Sequence, residues 1–272
     1  MSSALSVSSS SSWIKTAARI GLSAKGVVYC VSGLLATMAC LHLGNNSAKN
    51  AGTKGVFSFI EDQPLGKWLL LAVALGLACY VFWRLLQSFK DTENKGTDKK
   101  GLAKRFAYFF SALAYAGLAV YAFKAFLGAG DSGKDNRQSF TSELLQQPFG
   151  QWLVGIVAAI MIGTGLYQLY RGISGKYKKY VRDALHKDAA KWITTAGTIG
   201  YSARGIVWLI IGWLFIKAAL HSNANEVGGS DKAFSWLQDS YGTLLLGAVA
   251  IGLICYGVFT FLRAKYQDIH TN

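Results

Sequence analysis

The segment GLSAKGVVYCVSG, residues 21–33, returns near the other end of the chain as GYSARGIVWLIIG, residues 200–212. Each carries a glycine, a serine two places on, a small residue, a cation, a second glycine, and an apolar run closed by a third glycine. A pattern this particular, written twice, marks a duplication, and duplication is read before any other fold argument. Placing Gly33 on Gly212 draws in a third, weaker copy, FFSALAYAG, residues 109–117, which ends on Gly117.

The second half of the unit recurs as well. FSFIEDQPLGKWLLL (residues 57–71) matches FTSELLQQPFGQWLVG (140–155) and, more loosely, FSWLQDSYGTLLLG (234–247), which has lost the proline. LACYVFWRLL (77–86) parallels LICYGVFTFL (253–262), with MIGTGLYQLY (161–170) as the middle copy. The repeated unit is therefore a leading apolar helix, a polar connector, a short amphipathic segment ending in Pro-x-Gly or Tyr-Gly, and a trailing apolar helix.

Composition places these helices in a membrane. Of 272 residues, 52% are apolar and only 15% charged, against roughly 25% charged in soluble domains, and the mean hydropathy is positive at +0.28. Six stretches approach the roughly 20 apolar residues that cross a bilayer: Gly26–Leu43, Trp68–Trp83, Phe106–Phe123, Trp152–Tyr170, Gly205–Leu220 and Thr243–Leu262. The expected fold is all-α and integral to the membrane. Six transmembrane helices form three parallel two-helix repeats, in a pseudo-threefold arrangement about the membrane normal. An even number of spans gives every repeat the same orientation, the parallel class of internal repeat.

The expected boundaries are a disordered Ser-rich cytoplasmic tail at 1–18, repeats at 19–90, 104–173 and 196–266, and cytoplasmic linkers at 91–103 and 174–195. A cytoplasmic tail covers 267–272. Twenty of the 28 Lys and Arg residues lie on the side of the termini and linkers, and eight on the other. The positive-inside rule then puts both termini in the cytoplasm, in a multi-pass protein of the bacterial inner membrane. The net charge of +14 reads as this topology signal with attraction to anionic lipid headgroups, not as nucleic-acid binding. The bilayer is the expected partner.

Lys25 and Arg204 are read as cations at the cytoplasmic edges of their helices, anchored at the headgroups by snorkelling. Gly21 and Gly200 would let the chain turn there, with Ser23 and Ser202 as N-caps. Gly26, Gly33, Gly117, Gly205 and Gly212 are read as helix-packing positions, because small residues let helices approach closely in lipid. Tyr80, Arg84, Thr164, Gln168 and Tyr256, at matching places in the trailing helices, form a candidate polar pocket. The competing reading gives them interhelical hydrogen bonds. His42 and His221 sit at helix ends, where an imidazolium is favoured. Cys30, Cys40, Cys79 and Cys255 read as small packing residues.

No catalytic, metal or cofactor site is expected. The fourteen acids fall in loops or at span edges, and HExxH, GxSxG and P-loop motifs are missing from the sequence. Paired acids or an activated nucleophile are what an intramembrane hydrolase needs. The reading is a non-catalytic scaffold or interaction protein. The alternative is a permeation protein for small solutes or ions.

Three two-span units with an Ala-[Lys/Arg]-Gly start, a Pro-[Phe/Leu]-Gly-x-Trp connector end and a Gly/Tyr-rich close resemble the bacterial membrane family catalogued as domain of unknown function 1206. The resemblance covers about residues 19–266. It implies a six-span membrane protein of three repeats and carries no established activity or site residues. The middle repeat departs from the pattern, with Phe109 where the cation stands in the other two.

Overall fold

A computed structural model describes residues 2–43, 47–92, 96–128, 136–181 and 187–267. The described secondary structure is helical: α1 (Ser2–Cys40), α2 (Thr53–Glu61), α3 (Gly66–Phe89), α4 (Lys99–Phe126), α5 (Asn136–Leu145), α6 (Gly150–Ile173), α7 (Lys187–His221) and α8 (Ser230–Tyr266), with short 3-10 turns between them. Six helices are long and apolar enough to cross a membrane: Trp13–Cys40 of α1, α3, α4, α6, Lys191–His221 of α7, and α8. The protein is an all-helical chain with six membrane-length spans.

The first two repeats turn into their trailing helices in the same way. Leu65 and Phe149, directly before α3 and α6, adopt left-handed backbone with φ of 63° and 65°. A side chain there costs roughly 1–2 kcal/mol, because Cβ crowds the following carbonyl. In the third repeat the break falls at Gly242, aligned one place later, with φ 82° and ψ 175°, a backbone region open to glycine for want of a Cβ. The non-helical Gly242 thus divides α8 into a connector helix and a trailing helix.

Three expectations about the leading helices do not hold. The Ser-rich stretch read as a disordered tail is the first part of α1, which starts at Ser2. Once an apolar segment has nucleated a helix, each further residue adds a hydrogen bond, and serine opposes this only weakly. Ser23 and Ser202 lie inside α1 and α7, not at their starts. Gly21 and Gly200 are also interior, so they serve close packing and not a turn.

The chain forms two compact units. The first holds residues 1–27, 60–130 and 260–272; the second holds 28–59 and 131–259. In the first, α1 presses against α3: a Cβ on Gly21 would stand 2.5 Å from the Tyr80 backbone nitrogen, and one on Gly76 would stand 2.5 Å from Ala24 Cβ. Ala18 and Trp83 form a buried contact with Ile14 and Leu86 beside it. α3 also packs along α4.

The second unit repeats that register between α7 and α8. A Cβ on Gly200 would stand 2.6 Å from the Tyr256 backbone, and one on Gly252 would stand 2.3 Å from Ala203 Cβ. Here α7 also lies along α6, and a Cβ on Gly212 would meet Ile162 Cγ1 at 2.6 Å. One on Gly33 would meet Ile254 Cγ1 at 2.7 Å, and Ile254 holds the place in repeat three that Ile162 holds in repeat two. Two buried clusters fill the unit. One joins Val154 and Ala158 to Phe215, Ala218 and Val227; the other joins Tyr177, Tyr201, Tyr256 and Phe259.

Candidate functional site

The polar side chains of the spans gather into two clusters, one in each unit, and each forms around a leading-helix cation. Lys25 and Arg204 lie inside α1 and α7, and the Lys25 side chain is 1% exposed within its unit. Arg204 is partly buried.

In the first unit, Lys25 Nζ donates to Tyr80 Oη at 3.1 Å. Arg84, one turn along α3 from Tyr80, donates from Nε to the same oxygen at 2.8 Å and from Nη1 to Gln87 Oε1 at 2.8 Å. Aromatic faces complete the shell. Lys25 Nζ lies 4.9 Å from the Tyr80 ring centre and 5.1 Å from that of Tyr115. The Arg84 guanidinium lies 5.1 Å from the Tyr80 ring and 5.0 Å from that of Tyr108. The result is an alternating ladder, Tyr115, Lys25, Tyr80, Arg84, Tyr108, drawn from α1, α3 and α4. Such contacts are worth roughly 0.5–2 kcal/mol each, more when dry.

The second unit builds a related cluster around Arg204, with Arg171 over the nearby Tyr201 ring at 4.9 Å. Arg204 donates from Nε to Tyr29 Oη at 2.7 Å, and from Nη1 to Gln168 Oε1 at 2.9 Å and Tyr256 Oη at 3.1 Å. Its guanidinium faces the Tyr29 and Tyr256 rings at 5.2 and 5.0 Å, and those two rings meet edge to face at 4.8 Å. One side chain thus ties α1, α6, α7 and α8.

The five residues proposed for one polar pocket divide accordingly. Tyr80 and Arg84 belong to the Lys25 cluster; Gln168 and Tyr256 belong to the Arg204 cluster. Thr164 joins neither: it is half-buried, and its hydroxyl bonds back to Ile160 O one turn away. Among the packing glycines, a Cβ on Gly26 would lie 3.1 Å from the Phe261 ring, and one on Gly205 would lie 2.9 Å from Leu169. Gly117 is the exception: a Cβ there would meet nothing within 4 Å. The middle repeat's departures continue at Phe109, whose ring meets Phe89 edge to face at 6.1 Å. Nearby, Arg105 donates to the last carbonyls of α3, Ser88 O at 2.7 Å and Phe89 O at 2.8 Å.

Sequence reasoning missed Tyr29, Gln87, Tyr108 and Tyr115. One signal was available: Tyr29 stands one helical turn from Lys25, on the same face. It also missed Tyr177, within the basic stretch read as a free linker. Tyr177 is fully buried, stacks on Tyr201 at 5.3 Å, and bonds Thr198 Oγ1 at 2.6 Å and the Thr194 carbonyl. Burial pushes its phenol pKa upward.

The two histidines sit just past or at the ends of leading helices. His42 follows α1 with φ 53°. His221 closes α7, and its Nδ1 lies 2.8 Å from Glu226 Oε1, with Lys217 Nζ 4.0 Å from the other oxygen. The His221 hydrogen bond holds the Glu226 carboxyl below its ordinary pKa. No cluster of His, Cys, Asp and Glu able to hold a metal occurs among the described residues.

Comparison with known proteins agrees with this architecture. An "Uncharacterized protein YxxB" of Bacillus subtilis (strain 168) is 34% identical over 259 residues, covering 94% of this chain and 92% of that protein. No solved structure matches. The family described as Domain of Unknown Function (DUF1206) matches three times, over residues 20–91, 106–175 and 199–267. Three matched segments, each holding a leading and a trailing span, account for most of the sequence, and the chain belongs to that family.

Proposed function

We propose that the protein is a non-catalytic scaffold or interaction protein of the bacterial inner membrane, with both termini in the cytoplasm. The observation that carries this reading is how the spans use their polar side chains. Tyr80 accepts from both Lys25 and Arg84, and Arg204 is bonded to Tyr29, Gln168 and Tyr256. These groups join helix to helix within each unit, which is how polar residues in membrane spans stabilise a bundle. A permeation path uses such groups differently, exchanging them with a passing solute. The close glycine contacts of α7 with α6 and α8 support the same reading, since they bring backbones together where a path would part them.

The test is flux. The purified chain in liposomes, assayed over a panel of ions and small neutral solutes, is expected to pass none above protein-free vesicles. A flux abolished by Arg204→Gln at equal incorporation would replace the scaffold reading with the permeation one.

A further inference from the structure

The turns into α3 and α6 hold apolar side chains where neither the backbone nor water favours one. Leu65 and Phe149 stand in left-handed backbone, a conformation that glycine adopts free of the Cβ clash. Both are also open to the surroundings, Leu65 at 75% and Phe149 at 78% exposure, so packing within the chain does little to offset the strain. Three residues on, Trp68 and Trp152 are exposed as well. The third repeat has Tyr241 and Leu244 at the matching places, both exposed. Exposed Glu, Asp, Gln and Pro residues, 61–64 and 146–148, lead into the first two turns. The glycine after each of those turns keeps it tight: a Cβ on Gly66 would collide with the Glu61 carbonyl, and one on Gly150 with that of Leu144.

Helix length sets the depth of these turns. α3 and α6 have 24 residues each, and the part of α8 after Gly242 runs to Tyr266, an equal length. At 1.5 Å per residue each is about 36 Å long, somewhat more than a hydrocarbon core about 30 Å thick. A helix of that length centred on the core starts at the headgroup layer, the level where Trp and Tyr rings are favoured. We infer that the three turns, Leu65–Trp68, Phe149–Trp152 and Tyr241–Leu244, are lipid-docking wedges seated at the headgroup–acyl boundary of the leaflet away from the chain termini. Lipid is the occupant because each pair runs directly into a membrane-length helix, which brings the bilayer beside it. Seating there removes the apolar side chains from water, and that gain offsets the left-handed strain of Leu65 and Phe149. The inference rests on the six spans, and neither on the scaffold reading nor on which side of the membrane the termini lie.

The experiment compares full-length Phe149→Trp with wild type in lipid nanodiscs, where both faces meet water, and takes the added emission by difference. Three quenchers report its depth: lipid brominated high on the acyl chain, lipid brominated near the chain end, and aqueous iodide. The added Trp should lose most of its intensity to the shallow bromines and little to the deep bromines or to iodide. Leu65→Trp should behave in the same way. Gln147→Trp, two residues before the first site, should be quenched chiefly by iodide. If Phe149→Trp does not fold, Trp152→Phe carries the test: the emission it removes from the wild-type chain should show the shallow-lipid profile.

Chief quenching of the Phe149→Trp emission by iodide would put the turn in water and overturn the inference. Quenching by neither lipid nor iodide would mean that protein, a second copy of this chain included, covers the turn, and would overturn it as well. Chief quenching by the deep bromines would place the residue inside the hydrocarbon core and reject a boundary site.

Discussion

Arg204 donates to two phenols and an amide, those of Tyr29, Tyr256 and Gln168, groups that carry no formal charge. In a span, that arrangement keeps a cation in place through several modest contacts. Side-chain hydrogen bonds between membrane helices average about 0.6 kcal/mol and reach about 1.7. Arg204→Gln, which cannot reach all three oxygens, should therefore lower unfolding stability in detergent by about 1–2 kcal/mol, read from a denaturant titration. Outside the spans, Glu226 offers a pH test. Its pKa is lowered in the folded state by His221, so its contribution is complete above the ordinary carboxylate range. It should disappear as pH falls through the lowered value. A melting series in acid should show this loss, and Glu226→Gln should flatten that part of the profile. At this scale the sequence marked the cations but not their partners. Hydropathy puts Lys25 beside a span edge, after Lys15 and Arg19; the phenol of Tyr80, 55 residues away, and the Tyr115 ring meet its buried ammonium.

Helix by helix, legibility was far better, because spans and turns are encoded locally. Apolar length marked the six spans, and Pro-x-Gly marked the turns into α3 and α6. Where the helices begin was less legible: Gly21 and Gly200 look like breaks, yet both sit inside helices because another backbone fills the space beside them. Their packing is directly testable. Gly200→Ala would put a methyl group 2.6 Å from the Tyr256 backbone, and overpacking of this kind costs about 1–3 kcal/mol. Gly117→Ala meets open space and should be neutral or stabilising, by up to about 1 kcal/mol from helix propensity. Thermal unfolding of the two variants in one detergent gives the comparison, and equal destabilisation would refute the packing assignment. Gly117 also shows why a repeat aligned in sequence need not be equivalent in contact. Its copy has Phe109 and Phe110 where the others have a cation and a glycine, and the helix faces changed with them.

For the molecule as a whole, orientation is the property most open to a single measurement. In the orientation proposed above, the division of Lys and Arg into twenty and eight leads us to expect the carboxy terminus in the cytoplasm. A reporter fused there that works only in the periplasm should be silent, and one that works only in the cytoplasm should be active. The opposite pattern would reverse the orientation of every span. The arrangement of the three repeats about an axis remains an expectation from their shared orientation, while their number rests on the family match. The contacts of Arg204 also bear on how the chain is made. Translation delivers Tyr29 first, then Gln168, then Arg204, and Tyr256 last. A nascent chain halted after α7 holds a guanidinium already committed to the bilayer, with its final oxygen still on the ribosome. Release of a stable product therefore waits on α8, and chains truncated before it are natural prey for membrane quality-control proteases.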